Sequence, residues 1–416
     1  MSIYSKQVAD LTFSDIHELQ AENAQENIRL EFKGDFPGKA ETLKKVSSMA
    51  NTYGGYIVIG AQEDGKGNLT TLDGVLAAKG NKQTLIQWCY DGISPPLMPF
   101  VKEIPHNDNP TKVFYVIYVE ESFQAPHFIN NRKGCYIRTD EFSQRFEPRL
   151  ATYEELRFLL NRRQESLSLR EEIIARAHAR FERNSSVNYG QKLRHYSTMS
   201  LAIAPFFPGP FSLEVNDLED AIRASQLRAR GTLLFPGENL RSALGSFYHP
   251  DPRAKMAIAY FEASVHGLLF FGQGLVDRAS PTSDKKLYSN HTIGWLIFYL
   301  KYANVFYRNA GYDGALYVQL HFDRLEGTKF VLVHPQLSKI GDGKQLATEL
   351  DDTIHITIRT DTKMLQNGLT KFTRDLVRRI GFAFGWAEVF AVDDPIVDVY
   401  IDQARQYLKL EEESSS

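Results

Sequence analysis

Only two cysteines, Cys89 and Cys135, occur in 416 residues. That excludes a disulfide framework and a cysteine-rich zinc site, and it fits a reducing compartment. No apolar run approaches the ~20 residues that span a bilayer. The longest, near 293–300, gives way to Lys301 and Asn304. The opening Met1-Ser-Ile-Tyr-Ser-Lys has no apolar signal core. A cytoplasmic chain with no membrane partner is therefore expected. Charge of one sign is also lacking, because the formal net charge is -3. Bulk polycation binding is excluded, and any grip on nucleic acid must come from local basic patches. No G-x-x-x-x-G-K-[ST] pattern exists, so phosphate is not held by a P-loop. His127, His249, His266 and His291 have no metal-ligand spacing, and there is no internal repeat.

Hydrophobic residues make up 43% and aromatics 12%, enough for substantial cores and against disorder. The length suggests two or three domains. Residues 11–24 read as a short helix. Ile28, Leu30 and Phe32 alternate with Arg29, Glu31 and Lys33, which predicts a half-buried strand with the three charged residues on its open face. Leu43, Val46, Met49 and Ala50 fall at helical period, and Gly54-Gly55 ends that helix. Tyr56-Ile-Val-Ile-Gly60 reads as a buried strand, followed by a polar turn, Glu63-Asp-Gly-Lys-Gly-Asn68. Helix 82–93 and strands 100–104, 113–119 and 135–139 complete a mixed α+β domain over 1–150.

Thr152 with Glu155 three residues on is a capping box for a helix running to about Arg183. Basic residues outnumber acidic ones nine to four between Arg157 and Arg194, so 151–190 is expected as a basic helical connector. Asn184–Gly190 is its expected end. Residues 191–410 alternate strands and helices and predict a second α/β domain of open role. Within it, 315–322 and 329–334 read as a hairpin, and Thr362–Phe384 as one helix. The aromatics Trp295, Phe298, Tyr299, Tyr302, Phe306 and Tyr307 sit at helical spacing and are expected in core. The tail 411–416 is expected to be frayed.

The chemistry-bearing stretch is Glu26 to Gly65. Glu26 and Glu31 stand five residues apart, and Glu63 and Asp64 end the following strand. Acidic side chains at neighbouring strand ends can converge on a divalent ion, and carboxylate ligands suit Mg²⁺ or Mn²⁺. On an ideal strand Glu26 would face away from Glu31, so a bulge or turn must re-aim it. Lys33, Lys44, Lys45, Arg132, Lys133 and Arg138 are candidates for a phosphate path.

This pattern resembles the AlbA_2-type domain of the Schlafen family. The matching pieces are Glu26 ahead of Glu31-Phe-Lys33, a helix, Ala50-Asn-Thr-x-Gly-Gly, an apolar strand with Ile59-Gly60, and acidic residues after it. Ala125-Pro-His-Phe-Ile and Cys135-Tyr-Ile-Arg-Thr139 resemble that domain's later strand. The resemblance covers roughly the first 150 residues. It implies an N-terminal mixed sheet with helices and, from animal members, a metal-dependent ribonuclease acting on structured RNA such as tRNA. Prokaryotic relatives are variously labelled ATP-binding, transcriptional or phage-defence proteins. Carried over by position, Glu26 and Glu31 match the catalytic glutamates, and Glu63 or Asp64 the third carboxylate. Asn27 stands where the family usually has Ser, and the family's Cys/His zinc site has no counterpart. Animal members use two tandem lobes and this chain shows one, which leads to the expectation of a homodimer. Two readings stand at this level, the first preferred and the second its alternative. One is a Mg²⁺- or Mn²⁺-dependent endoribonuclease. The other is a non-catalytic protein that binds RNA, or DNA, with a C-terminal sensor.

Overall fold

A computed structural model describes residues 2–4, 6, 8–77, 81–130, 134–139, 147–190, 196–209, 213–229, 232–235, 240–243, 245–250, 259–275, 285–331, 344–345, 352–384, 398–399 and 402. The chain divides into two compact units, Met1–Glu165 and Ser166–Ser416. The expected tail lies outside the described residues.

In the first unit the elements run α1 (Phe13–Ala21), β1 (Leu30–Lys33), α2 (Lys39–Asn51), β2 (Gly55–Ile59), β3 (Ala61–Glu63), β4 (Leu69–Leu72), β5 (Val75–Leu76), α3 (Asn81–Gly92), β6 (Ile93–Ser94), β7 (Phe100–Pro105), β8 (Lys112–Val119), β9 (Phe128–Ile129), β10 (Gly134–Ile137), β11 (Arg149–Leu150) and the start of α4 (Tyr153–Tyr189). β1 and β2 pair in parallel across the α2 crossover. β2 pairs antiparallel with β8, which also carries β5 and β7. The sheet is covered on both faces, so β2 is apolar throughout rather than alternating. Ile57 and Ile59 join the core with Leu43, Val46 and Met49 of α2. Tyr56 and Val58 join Ile16, Leu19, Leu30 and Phe32 on the α1 side.

The two glycines after α2 have a steric reason. Gly54 has φ +67 and Gly55 φ +148. A Cβ would come within 2.6 Å of the Val119 carbonyl at Gly54 and 2.4 Å of the Arg29 carbonyl at Gly55. Only glycine lets the helix end, turn and feed β2 beside β1.

The second unit holds most of α4, then β12 (Thr198–Pro205), α5 (Val215–Ala224), β13 (Leu227–Ala229), β14 (Thr232–Phe235), β15 (Arg241–Ala243), β16 (Ser246–Pro250), β17 (Ala259–Ser264), β18 (Leu269–Gly274), β19 (Lys285–Tyr288), α6 (Ser289–Asn309), β20 (Ala315–Asp323), β21 (Thr328–Val331), β22 (Lys344–Gln345), β23 (Ile354–Asp361), α7 (Thr362–Asn367) and α8 (Leu369–Ala383). Its main sheet has the order β15-β16-β17-β18-β12-β20-β23 and is antiparallel throughout. Helices α5 to α8 pack on one face. Ile173, Ile174, Ala177 and Phe181 of α4 pack on the other, over Ala202, Ala204 and Phe270.

Three expectations change here. The hairpin of 315–322 with 329–334 does not form, because β20 has both edges taken by β12 and β23. β21 pairs instead with β19 and β22. The C-terminal helix is two helices, broken at Gly368, with Asp361 capping the first by accepting from the Met364 N–H at 2.7 Å. The stretch 184–190 continues the helix to Tyr189. The Thr152–Glu155 capping box is present. Phe298, Tyr299, Tyr302, Phe306 and Tyr307 are buried core, with Trp295 packed against it. No described helix is long and apolar enough to cross a membrane.

Candidate functional site

The site is built where β1, α2 and β10 meet. Strand alternation sends Leu30 and Phe32 towards α1 and leaves Glu31 and Lys33 facing the other way. The sequence suggests that this second face is open. It is instead covered by α2 and by the strand leading to Arg138, and Glu31 is only 3% exposed.

A buried carboxylate needs compensation, and Glu31 has three cations. Its Oε1 accepts from Lys33 Nζ at 2.6 Å and from Lys45 Nζ. Its Oε2 accepts from Arg138 Nη1 at 2.9 Å. Arg138 also donates from Nη2 to the Asn27 carbonyl at 3.0 Å, which ties the turn before β1 to the cluster. Burial pushes the Glu31 carboxyl up, but Arg138, Lys45 and Lys33 together outweigh it and hold the group at about 2.

Glu26 lies in the turn ahead of β1 and is bent back onto it. Its N–H donates to the Gly67 carbonyl at 2.8 Å, and its Oε1 accepts from the Phe32 N–H at 2.8 Å. This turn, with its isolated bridge between Asn27 and Leu30, solves the facing problem that ideal strand geometry poses. Burial first, and the neighbouring Glu31 charge second, push the Glu26 carboxyl up to about 7. Its opponents are the Phe32 N–H, Lys33 and Lys45.

The remaining candidates do not converge on this pair. Glu63 Oε2 accepts from the Gly67 N–H at 2.9 Å and closes its own turn. Asp64 is exposed. It accepts from the Lys66 and Asn68 N–H groups at 2.8 and 3.1 Å and from Asn68 Nδ2 at 2.7 Å. Among the described residues, no group of three or more His, Cys, Asp or Glu side chains is arranged to hold a metal ion. A hard divalent cation needs oxygens with lone pairs to give. Both oxygens of Glu31 already face ammonium and guanidinium groups. As arranged, these residues do not fit Mg²⁺ or Mn²⁺.

The basic candidates divide likewise. The Arg138 side chain is 0% exposed and that of Lys45 5%. Both are turned inward onto Glu31, not presented to a polymer. Lys33 keeps 22% of its side chain in solvent. Lys44 stands over the Tyr136 ring at 5.5 Å. Arg132 and Lys133 lie outside the described residues.

Asn51 stands inside the Ala50-Asn-Thr frame, where nothing local marks it as functional. It is 2% exposed. Its Nδ2 donates to the carbonyls of His127 and Tyr136 at 3.0 and 2.9 Å, and its Oδ1 accepts from the His127 N–H at 2.8 Å. His127 is pushed down to about 4, chiefly by burial, and is neutral. Its Nδ1 donates to the Pro95 carbonyl at 2.8 Å, and its Nε2 accepts from the Ser122 hydroxyl at 2.7 Å. The C-terminal end of α2 is thereby fastened to the strands that carry Arg138.

The Glu26 geometry has a measurable consequence. The folded carboxyl keeps its proton to about 7, whereas an unfolded one loses it near 4.5. Between those values the folded state binds more protons, so stability falls as pH rises through that window. Glu26→Gln keeps an acceptor for the Phe32 N–H and abolishes the titration. The variant is expected to match the parent below pH 4.5 and exceed it at pH 8 by on the order of 1 kcal/mol, after discounting for water around a half-buried carboxyl. Thermal melts at pH 4.5 and pH 8 check this. An equal difference at both pH values would refute it.

With the geometry in place, comparison with known proteins adds a family. The Schlafen AlbA_2 family model matches residues 26–147. No curated protein matches the chain. Among solved structures, the chain is similar to the N-terminal domain of a RecG-related protein from Nitrosomonas europaea. Identity there is 22% and the TM-score 0.22, over 27% of this chain and 74% of that one. It is also similar to the DIP2311 protein from Corynebacterium diphtheriae, at 17% identity and a TM-score of 0.23, over 33% of this chain and 29% of that one. From Glu26, through the glycine-ended helix and apolar strand, to the segment bearing Arg138, the first unit therefore carries a Schlafen AlbA_2-type domain.

Proposed function

We propose that the AlbA_2-type domain binds the phosphate backbone of nucleic acid and that the protein acts as a nucleic-acid-binding regulator. One observation carries this reading: three cations surround the Glu31 carboxylate, with the largely exposed Glu147 carboxylate 3.5 Å from Lys45, beside a Glu26 that is largely protonated below pH 7. With Glu26 protonated, Lys33, Lys45 and Arg138 exceed Glu31 and Glu147 by one charge, and Lys33 is the partly exposed cation. Such a field attracts phosphate without reading bases. Structured RNA is the favoured polymer and DNA the alternative.

The test is fluorescence anisotropy with labelled tRNA and a duplex DNA of equal length across a salt series. Affinity is expected to fall steeply with salt, because phosphate contacts release counterions. Lys33→Ala is expected to weaken binding to all sequences alike and to reduce the salt slope by about 1. Salt-insensitive binding would sink the proposal.

A second reading, metal-dependent endoribonuclease, rests on the pairing of Glu26 with Glu31 and requires the cations on Glu31 to give way to a metal. These are the two positions that the resemblance makes catalytic, and mutual repulsion marks them as neighbours. Total tRNA incubated with Mn²⁺, with and without chelator, separates the readings. Cleavage abolished by chelator establishes the nuclease, and intact tRNA in both leaves the binder. Substitution of Glu31 does not separate the readings, because the variant is also expected to lose stability. We also propose that the protein forms a two-fold homodimer, which would supply a second basic wall for a duplex. Sedimentation at a single 47.4 kDa species across concentrations would refute that.

A further inference from the structure

Three histidines of the second unit meet at one junction between α4 and the main sheet. In the register of β12, β20 and β23, one rung reads Ser200, His321, His355. His178 of α4 closes over that rung. Its ring centroid lies 4.6 Å from that of His321, and the His355 ring lies 3.9 Å from His321. His321 therefore has an imidazole from the helix and another from the outermost strand as neighbours. His178 Nε2 shares a hydrogen bond with the Ser200 hydroxyl at 3.1 Å. His321 Nε2 is shielded from solvent and has no hydrogen-bond partner among the described residues.

The charges around this stack are few. Glu182 one turn along α4, Asp323 at the end of β20 and Arg324 just beyond it act on His178, and Arg324 also acts on His321. Arg324 Nη1 is paired with Glu182 Oε2 at 2.7 Å and with Asp323 Oδ2 at 3.0 Å. Two carboxylates less one guanidinium leave one negative charge against three imidazoles. That balances a single proton. A second proton on the stack would sit beside the first, and like charges so close disfavour one another.

Burial adds to this. It is the first cause that pushes His321 down, to about 3, with His178, His355 and Arg324 acting in the same sense. Burial also pushes His178 down, against the pull of Glu182 and Asp323. With α4 seated, both rings are neutral at pH 7. Once α4 lifts, both meet water and return towards the ordinary value of 6.5. The lifted state then binds more protons than the seated one below pH 6.5. The seated state is therefore at full strength above that value and weakens as pH falls.

The packing allows such a movement to be local. Ile173, Ile174, Ala177 and Phe181 hold α4 on its own apolar strip of the sheet, over Ala202, Ala204 and Phe270. The larger core under α5 to α8 lies on the opposite face and shares none of these residues. Lifting the end of α4 leaves that core assembled. We propose that the His178–His321–His355 stack is an acid-sensitive latch, which seats the C-terminal half of α4 on the sheet at neutral pH and releases it on acidification. The latch lies in the second unit and does not depend on what the first unit binds.

Hydrogen–deuterium exchange of the full chain, read by mass spectrometry at pH 7 and pH 5 and corrected for the intrinsic exchange rate, is the test. Each proton taken up on opening favours the open state by up to about tenfold per pH unit below 6.5. Peptides from 171–183 are therefore expected to open at least about tenfold more at pH 5 than at pH 7. Peptides from α6, on the opposite face, should keep their protection. His321→Leu removes a polar atom that has no partner, so it should fold and melt at least as high as the parent at pH 7. In that variant the acid effect on 171–183 should fall to about threefold or less. His178→Gln keeps a hydrogen-bonding group for Ser200 and should blunt the acid effect in the same way, which keeps the test decisive if His321→Leu does not fold. Equal opening of 171–183 at both pH values overturns the proposal. So does an undiminished acid effect in the histidine variants, which would place the sensor in the Glu182 or Glu262 ion pairs of α4. Loss of protection in α6 to the same extent would show general acid unfolding and would overturn it too.

Discussion

Replacing Glu31 by Gln is expected to destabilise the first unit by about 3–5 kcal/mol, because it strips the counter-charge from buried cations while leaving them in place. For a unit of this size that corresponds to roughly 6–20 °C in melting temperature. Lys45 and the Arg138 side chain have almost no access to water. An amide cannot replace the charge that keeps them there. The effect has a pH signature of known sign. The folded Glu31 carboxyl is held at about 2, below its unfolded value. Its contribution is therefore present above about 4.5 and is lost as pH falls towards 2. The gap between parent and variant should be full at pH 7 and close on acidification. Arg138→Met in the Glu31→Gln background should recover part of the loss, since removing both members of a buried pair is milder than removing one. A Glu31→Gln protein that melts with the parent at pH 7 would show that the cluster is not structural.

This expectation departs from what the sequence alone suggests, and the reason is physical. Alternation in Ile28–Lys33 reports correctly that Glu31 and Lys33 share a face. It does not report what lies over that face. The cover comes from α2, thirteen residues that begin after a turn, and from Arg138, more than a hundred residues away in sequence. Long-range cover leaves no local signature, so a buried ion cluster reads as an open polar surface. The same limit applies to β20. Its own sequence suggests a hairpin, but strand partners are chosen by competition, and β12 and β23 occupy both its edges. Where the determinant is local, the reading holds: the glycine pair that ends α2, the capping box at Thr152 and the aromatic stripe of α6 all act within a turn or a helix face. The carboxylate site mixes the two kinds. The Glu26–Glu31 pairing follows from a resemblance and a turn. Its saturation by cations depends on tertiary packing.

Asn51→Ala is expected to cost about 2–4 kcal/mol, roughly 5–15 °C in melting temperature. Three backbone partners within the fold, the His127 N–H and carbonyl and the Tyr136 carbonyl, would lose their side-chain complement at a position where water has almost no access. Unsatisfied buried groups are penalised more than the bond itself contributes. Asn51→Asp is the sharper variant. It keeps the acceptor for the His127 N–H but turns a donor into a charge aimed at two carbonyl oxygens, so it should be at least as damaging above pH 5. It should also become milder as the new carboxyl takes a proton. The effect should reach the Glu31 cluster, because Arg138 lies two residues beyond Tyr136 and its N–H donates to the Thr52 hydroxyl at 3.0 Å. Loosening this joint frees Arg138 to withdraw, and the Glu31 carboxyl should then titrate closer to its ordinary value. Carboxyl carbon shifts of Glu31 followed by NMR in Asn51→Ala, over pH 2 to 6, would read that rise. An unmoved Glu31 titration in a destabilised Asn51→Ala protein would separate the two networks and confine Asn51 to fastening the loop at His127.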